Sequence, residues 1–182
     1  PDSMHIGIIG FGHFGQFLAR RLLARGHQVS AWSREPVQEE AAAMGAQWYP
    51  EVADLCQASC DIYLLSTSIV SFASVVQGLP LDALSGALLV DVLSVKAYPK
   101  EFLRRVLPGS CDILCMHPMF GPDSGRGSWD GLTCMYEKVR IRQITLCEDF
   151  LGFFAEEGCR MVEMTCEKHD AYAASSQFVT HT

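Results

Sequence analysis

The chain has 182 residues, enough for one full domain and the beginning of a second. Hydrophobic residues make up 49% and charged residues 19%, the balance of a globular chain and not of a disordered one. Lys and Arg number 14 against 21 Asp and Glu, a net charge of −7 with no basic cluster, which argues against non-specific nucleic-acid binding. No apolar run approaches the roughly 18 residues that span a bilayer, so no membrane association is expected.

Pro1-Asp2-Ser3 leads straight into a strand, so no targeting segment is visible, and one removed upstream of Pro1 is compatible with this start. The eight cysteines are Cys56, Cys60, Cys111, Cys115, Cys134, Cys147, Cys159 and Cys166. None forms a C-x-x-C pair and several lie in apolar runs. Buried free thiols in a reducing compartment are therefore expected, with no metal site.

Apolar runs alternate with helical patterns along the chain, which predicts βαβ units and a parallel sheet. The first strand is Met4 to Gly10, followed by a helix from His13 to Arg25 with Phe14, Phe17, Leu18 and Leu22 on one face, ended by Gly26. A strand over His27–Ser33 precedes a helix from Pro36 to Met44, with Pro36 at its first turn and Gly45 after its last. Gln47–Tyr49 reads as a brief strand, Asp61–Ser66 as a buried one, Ile69–Gln77 as a helix and Ala87–Leu93 as the next buried strand. A helix near Tyr98–Leu107 leads to a strand over Asp112–Met116. The residues from His117 to Gly131, rich in Gly, Pro, Asp and Ser, read as a loop. Met135–Ile141 alternates as a half-exposed strand, Glu148–Glu157 is an amphipathic helix, and Cys159–Met164 is a further strand. His169–Thr182 looks helical and ends without a stop signal, as if cut inside a helix that opens a second domain. The expected division is 1–165 for the first domain and 166–182 for the start of the second.

Gly10-Phe11-Gly12-His13-Phe14-Gly15 is the strongest local signal. A G-x-G-x-x-G that follows a strand and opens a helix has the context of a dinucleotide-binding turn, and with the βαβ pattern it predicts a Rossmann-type, doubly wound α/β fold. Gly10 serves the tight turn, Gly12 the approach of the pyrophosphate, and Gly15 the helix–strand contact, while the helix N-terminus faces the phosphates. His13 and Phe14 lie in this turn and are expected to face the cofactor. Ser33-Arg34, at the end of the second strand, stands where an NAD site has Asp or Glu. A hydroxyl beside a guanidinium suits a 2′-phosphate, so NADP is expected. Thr67 and Ser68 follow the fourth strand, either touching the cofactor or capping the next helix.

Two further strands end in chemistry-bearing residues. Asp91-Val92-Leu93-Ser94-Val95-Lys96 offers a hydroxyl and an amine, and His117 offers an imidazole able to take the proton of an alcohol as hydride leaves. Ser94 is placed to orient the same hydroxyl. Lys96 is a catalytic amine in one reading and a solvated or helix-capping residue in another. Asp91 reads as a carboxylate that orders its loop, and His169-Asp170 as a helix entry.

Gly10–Leu18, Asp91–Lys96, His117-Pro118-Met119-Phe120-Gly121-Pro122 and Gln177-Phe178-Val179-Thr180-His181-Thr182 together resemble the TyrA family of prephenate and arogenate dehydrogenases, in particular its plant arogenate branch. The likeness runs through Tyr136–Ile141 and Glu157–Met164. It implies that His117 binds the ring hydroxyl and accepts its proton, that Ser94 contacts that hydroxyl and the histidine, and that His181 lies near the substrate side chain. It also implies that Ser33 and Arg34 select NADP. The implied reaction is oxidative decarboxylation of arogenate to tyrosine, with hydride passing to NADP as CO₂ leaves. Further implications are a helical dimerisation domain after this segment, a homodimer, and a plastid stroma location with the cytosol as alternative. Competing readings are prephenate dehydrogenase on the same scaffold, a β-hydroxyacid dehydrogenase centred on Lys96, and a non-catalytic NADP-binding regulatory domain.

Overall fold

A computed structural model describes the backbone of residues 3–180 and the side chains of residues 3–175. The elements alternate in the order the sequence predicts. β1 (His5–Ile9), α1 (His13–Ala24), β2 (Gln28–Trp32), α2 (Gln38–Met44), β3 (Gln47–Trp48), α3 (Val52–Cys56), β4 (Ile62–Leu65) and α4 (Ile69–Gln77) build the first half. A short 3-10 turn at Leu81–Leu84 leads to β5 (Leu88–Asp91), α5 (Ala97–Val106), β6 (Asp112–Pro118), β7 (Thr133–Arg140), α6 (Ile144–Glu156), β8 (Arg160–Glu163) and α7 (Cys166–Thr180).

The eight strands form one sheet in the order β3-β2-β1-β4-β5-β6-β7-β8. Its first six strands are mutually parallel, β7 runs antiparallel to β6, and β8 is parallel to β7. This is the doubly wound arrangement, whose strand order reverses between β1 and β4 and leaves a crevice there beyond the carboxyl ends of the strands. Strand periodicity of two explains the layers. Ile6 and Ile8 of β1, Ile62 and Leu64 of β4, Leu88 and Val90 of β5, and Leu114 and Met116 of β6 face one cluster with α1 and α6. Ile9, Tyr63, Leu65, Leu89, Ile113 and Cys115 face the other, under α3, α4 and α5. Covered on both faces, the central strands are apolar along most of their length, the expected pattern for buried parallel strands.

Several boundaries differ from the sequence reading for physical reasons. Pro36 lies two residues before α2 instead of in its first turn, and Gly45 (φ +93°) closes that helix in the left-handed region. α3 and the 3-10 turn carry too few residues to show a period. α6 begins at Ile144 and α7 at Cys166, each before its predicted start. His117 and Pro118 belong to β6, not to a loop, because β7 pairs back across them (His117 with Met135, Pro118 with Cys134). A strand-ending proline is tolerated because its missing N–H falls at the edge of the ladder.

The segment after β6 is fixed by Trp129. Its indole is fully buried, donates from Nε1 to the Gly125 carbonyl (3.0 Å) and packs among Phe17, Phe120, Phe153 and Phe154. The Arg21 guanidinium lies over its ring. All eight cysteines are buried and unbonded. Burial pushes the Cys60, Cys147 and Cys159 thiols up to about 11 and Cys56 to about 12, so they are un-ionised and unreactive at neutral pH. No helix among the described residues is long and apolar enough to cross a membrane.

Candidate active site

The glycine turn connects β1 to α1 at the point where the sheet order reverses. Gly10 adopts φ +103°, and a Cβ there would stand 2.6 Å from the Ser66 carbonyl oxygen on β4's exit. A Cβ on Gly15 would stand 2.5 Å from the Gly10 carbonyl oxygen, so only glycine lets α1 sit this close to the turn. Gly12 differs: its backbone is ordinary and nothing lies within 4 Å of the Cβ position. That open space sits at the N-terminus of α1, where no side chain caps the free N–H groups. An unfilled position in front of uncapped amides fits a dinucleotide pyrophosphate. Thr67 Oγ1 supports the same fit, being buried without a hydrogen-bond partner beside this space.

Two adjoining cavities flank the turn and share Gly12, Ser66, Thr67 and Ser68 in their walls. The smaller, about 320 Å³, is bordered by Gly10, Trp32, Ser33, Arg34, Glu35 and Ser71. Arg34 is exposed there, and its Nη2 donates to Ser74 Oγ on α4 (2.8 Å). Ser68 serves the capping role, its Oγ accepting from the Ser71 N–H (3.2 Å), and also lines both cavities. The larger cavity, about 490 Å³, is lined by His13, Phe14, Leu93, Ser94, His117 and Phe120 among others. Every predicted site residue within the described part of the chain therefore borders the turn or one of these two cavities. His181 lies outside the described residues.

His117 closes the larger cavity from the end of β6. Its Nδ1 is hydrogen-bonded to His169 Nε2 (2.9 Å) and its Nε2 has no hydrogen-bond partner among the described residues. The two rings meet edge to face, 5.0 Å between centroids. Burial, followed by the charges of His169 and Lys96 and opposed by Asp170, pushes His117 down to about 4. The imidazole is thus neutral at pH 7, the form that accepts a proton. Ser94 is exposed in the lining of the same cavity.

Lys96 is not solvated, and it stands at the N-cap position of α5. Its ammonium is completely buried, paired with the Asp91 carboxylate and donating to the Met116 carbonyl (2.6 Å). Asp91 also orders its loop as expected, accepting from the Leu93 N–H (3.2 Å). The residue that the sequence reading missed is His169. It looked like a helix entry, yet it is buried and touches the candidate base; the only local signal was a His-Asp pair in the first turn of a helix.

Comparison with known proteins places this geometry in a family. The model of a family described as NADP oxidoreductase, coenzyme F420-dependent, matches residues 5–95, half of the chain. Two proteins of Arabidopsis thaliana align with the whole chain: arogenate dehydrogenase 2, chloroplastic, is 49% identical over 186 residues, and arogenate dehydrogenase 1, chloroplastic, 47%. The chain belongs to this oxidoreductase family, and along its whole length it is similar to arogenate dehydrogenases. It spans 52% of the first Arabidopsis dehydrogenase and 29% of the second. A crystal structure of Synechocystis arogenate dehydrogenase has the same fold, with TM-score 0.73 at 20% identity, over 94% of this chain and 63% of that one. The nicotinamide-dinucleotide-binding fold of these dehydrogenases is thus the fold of this chain.

Proposed function

We propose that this chain carries the cofactor-binding half of an NADP-dependent arogenate dehydrogenase, with His117 as the general base. The observation that carries the reading is the meeting, in one cavity, of the glycine turn, Ser94 and a neutral imidazole whose Nε2 has no partner among the described residues. The names of the Arabidopsis relatives supply the substrate, and the same names support a plastid location, within which we place the protein in the stroma. NADP over NAD rests on Ser33 and Arg34, which border the second cavity in place of a lone carboxylate; Glu35 faces the same space and tempers, without cancelling, the guanidinium. Residues 166–182 are proposed to begin a helical domain that closes the substrate pocket and forms a homodimer.

The residues divide the work. The N-terminus of α1 and the space over Gly12 would hold the pyrophosphate, Thr67 Oγ1 would gain a partner there, and Arg34 would take the 2′-phosphate. Bound NADP⁺ supplies the hydride acceptor. Ser94 orients the substrate hydroxyl toward His117, and His117 Nε2 takes its proton as the carbonyl forms. Loss of the ring carboxylate as CO₂ makes the ring aromatic and the step strongly downhill, so the protein needs orientation and one base.

The test is NADPH formation by the full-length protein with arogenate and prephenate, each offered with NADP⁺ and with NAD⁺. The arogenate–NADP⁺ pair is expected to dominate, and His117→Asn to lower kcat by about 10²–10⁴ with NADP⁺ affinity kept. Preference for prephenate or for NAD⁺ would overturn the substrate or cofactor assignment. Near-normal turnover by His117→Asn would move the base elsewhere.

A further inference from the structure

We propose that His169 and Asp170 form a positioning pair that locks His117 in the tautomer with Nε2 bare toward the cavity. The inference rests on the reading of His117 as the base, but its first test does not.

The chain of donors and acceptors runs from Asp170 inward. Asp170 sits in the first turns of α7, and its carboxylate accepts three hydrogen bonds of 2.9 Å: Oδ1 from the Lys96 N–H and from His169 Nδ1, Oδ2 from the Ala97 N–H. Those two backbone donors are free N–H groups at the start of α5, so Asp170 caps one helix from another. Burial opposes its ionisation, but the bonds from Ala97, His169 and Lys96 outweigh it and hold the carboxyl below its ordinary value. An ionised carboxylate only accepts. His169 Nδ1 must therefore carry a proton. In the proposed arrangement His169 Nε2 carries no proton and accepts from His117 Nδ1 across the 2.9 Å contact. That leaves Nε2 of neutral His117 without a proton, and it has no hydrogen-bond partner among the described residues.

The arrangement also fixes the ring. His169 is 1% exposed, and its edge-to-face packing at 80° against His117 holds the imidazole plane. Residues on three elements converge here: β6 carries the base, α7 the pair, and the start of α5 the donors that anchor Asp170. During reaction the substrate O–H bond breaks and a new N–H bond forms at His117 Nε2. The Nδ1 proton stays where it is, and no proton moves onto His169 or Asp170. The positive charge on His117 is stabilised through His169 by the carboxylate, the same division of labour as in a serine-protease triad.

The substitutions His169→Gln and His169→Leu separate this role from simple packing. Gln keeps an acceptor for His117 and a donor for Asp170, whereas Leu matches the volume and keeps neither. On the full-length protein, ¹⁵N NMR of the histidine rings should show His117 protonated at Nδ1 in the wild type and in His169→Gln, and a tautomer mixture in His169→Leu. In turnover, His169→Leu should lose about 10²-fold in kcat with the KM for NADP⁺ unchanged, and His169→Gln should recover most of it, the range of a displaced general base. A wild-type His117 protonated at Nε2 would overturn the proposal by itself, even if His169→Leu fails to fold. Equal turnover by the Leu and Gln variants would also overturn it. If the tautomers are as stated and His117→Asn is nonetheless active, the lock stands and the assignment of the base falls.

Discussion

Gly12→Ala should separate cofactor binding from folding, because the three glycines of the turn are glycines for different reasons. At Gly10 an added Cβ meets the Ser66 carbonyl oxygen at 2.6 Å, in a backbone conformation with φ +103°. Left-handed strain of about 1–2 kcal/mol and overpacking of about 1–3 kcal/mol add to about 2–5 kcal/mol. At about 2–4 °C per kcal/mol for a chain of this size, Gly10→Ala should lower Tm by about 4–20 °C. Gly12 has φ −75° and nothing within 4 Å of its Cβ position, so alanine there costs the folded protein next to nothing. The small gain from a stiffer unfolded chain and the small loss at an N-cap position nearly cancel, leaving Tm within about 2 °C. The same methyl occupies the space in front of the uncapped amides of α1. A pyrophosphate pushed back from them loses one charge-assisted hydrogen bond, about 1.5–3 kcal/mol, or about 10- to 150-fold in Kd. Scanning fluorimetry and an NADP⁺ titration on the same sample measure both quantities. Wild-type affinity in Gly12→Ala would refute the assignment of that space to the pyrophosphate, and a large fall in its Tm would refute the claim that the space is open.

Arg34→Ala should weaken NADP⁺ by about 1.5–3 kcal/mol and leave NAD⁺ nearly untouched, since one charge-assisted contact is lost; equal losses in a titration with both cofactors would remove Arg34 from the 2′-phosphate. Acid should destabilise the fold through His117. Its value falls from the ordinary 6.5 to about 4 on folding, so the unfolded chain binds more protons between those values and stability declines as pH drops from about 6.5 toward 4, by about 3 kcal/mol. Urea midpoints across that window should fall less in His117→Asn, and an unchanged slope would contradict the burial of a neutral imidazole. Trp129→Ala should cost about 3–5 kcal/mol, because a fully buried indole and its aromatic neighbours anchor the segment after β6; a loss under about 1 kcal/mol by chemical denaturation would show that the segment is held by something else.

What was legible in the sequence is what local chemistry encodes. Ile69–Gln77 is read to the residue because Ser68 caps its start, Phe72, Val75 and Val76 mark its buried face, and Gly78 follows its end. The glycine turn is legible because strand, turn and helix are contiguous. The predicted site residues collect around one crevice because the doubly wound topology sends the carboxyl ends of β1, β4, β5 and β6 there. What was illegible depends on distant pairing. His117 looked like a loop residue until β7, on the far side of the Trp129 segment, extended β6 across it. His169 lies 52 residues from His117 and shares no local pattern with it, so only the packing of α7 could bring the two together. Lys96 beside a predicted cleft suggests chemistry, and only its complete burial shows a different role.

That role explains why the site is built on an ion pair instead of apolar packing. The Lys96 ammonium binds the carboxylate of Asp91, the last residue of β5, and the carbonyl of Met116, the residue before His117 on β6. Neither charge reaches water, and leaving one without the other is an expense of about 3–5 kcal/mol, so the pair resists any motion that separates the two strand ends. Ser94 follows β5, and His117 is the next residue of β6 after Met116, so both stand close to this clamp. The same residue meets α7 through its backbone, where the Lys96 N–H is held by Asp170, the carboxylate that reaches His117 through His169. One lysine therefore ties together the strand that presents the base, the strand that leads to the serine and the helix that carries the positioning pair. An apolar residue of the same volume would fill the space, but it would have no donor for the Met116 carbonyl and nothing to fix the direction in which β6 delivers His117.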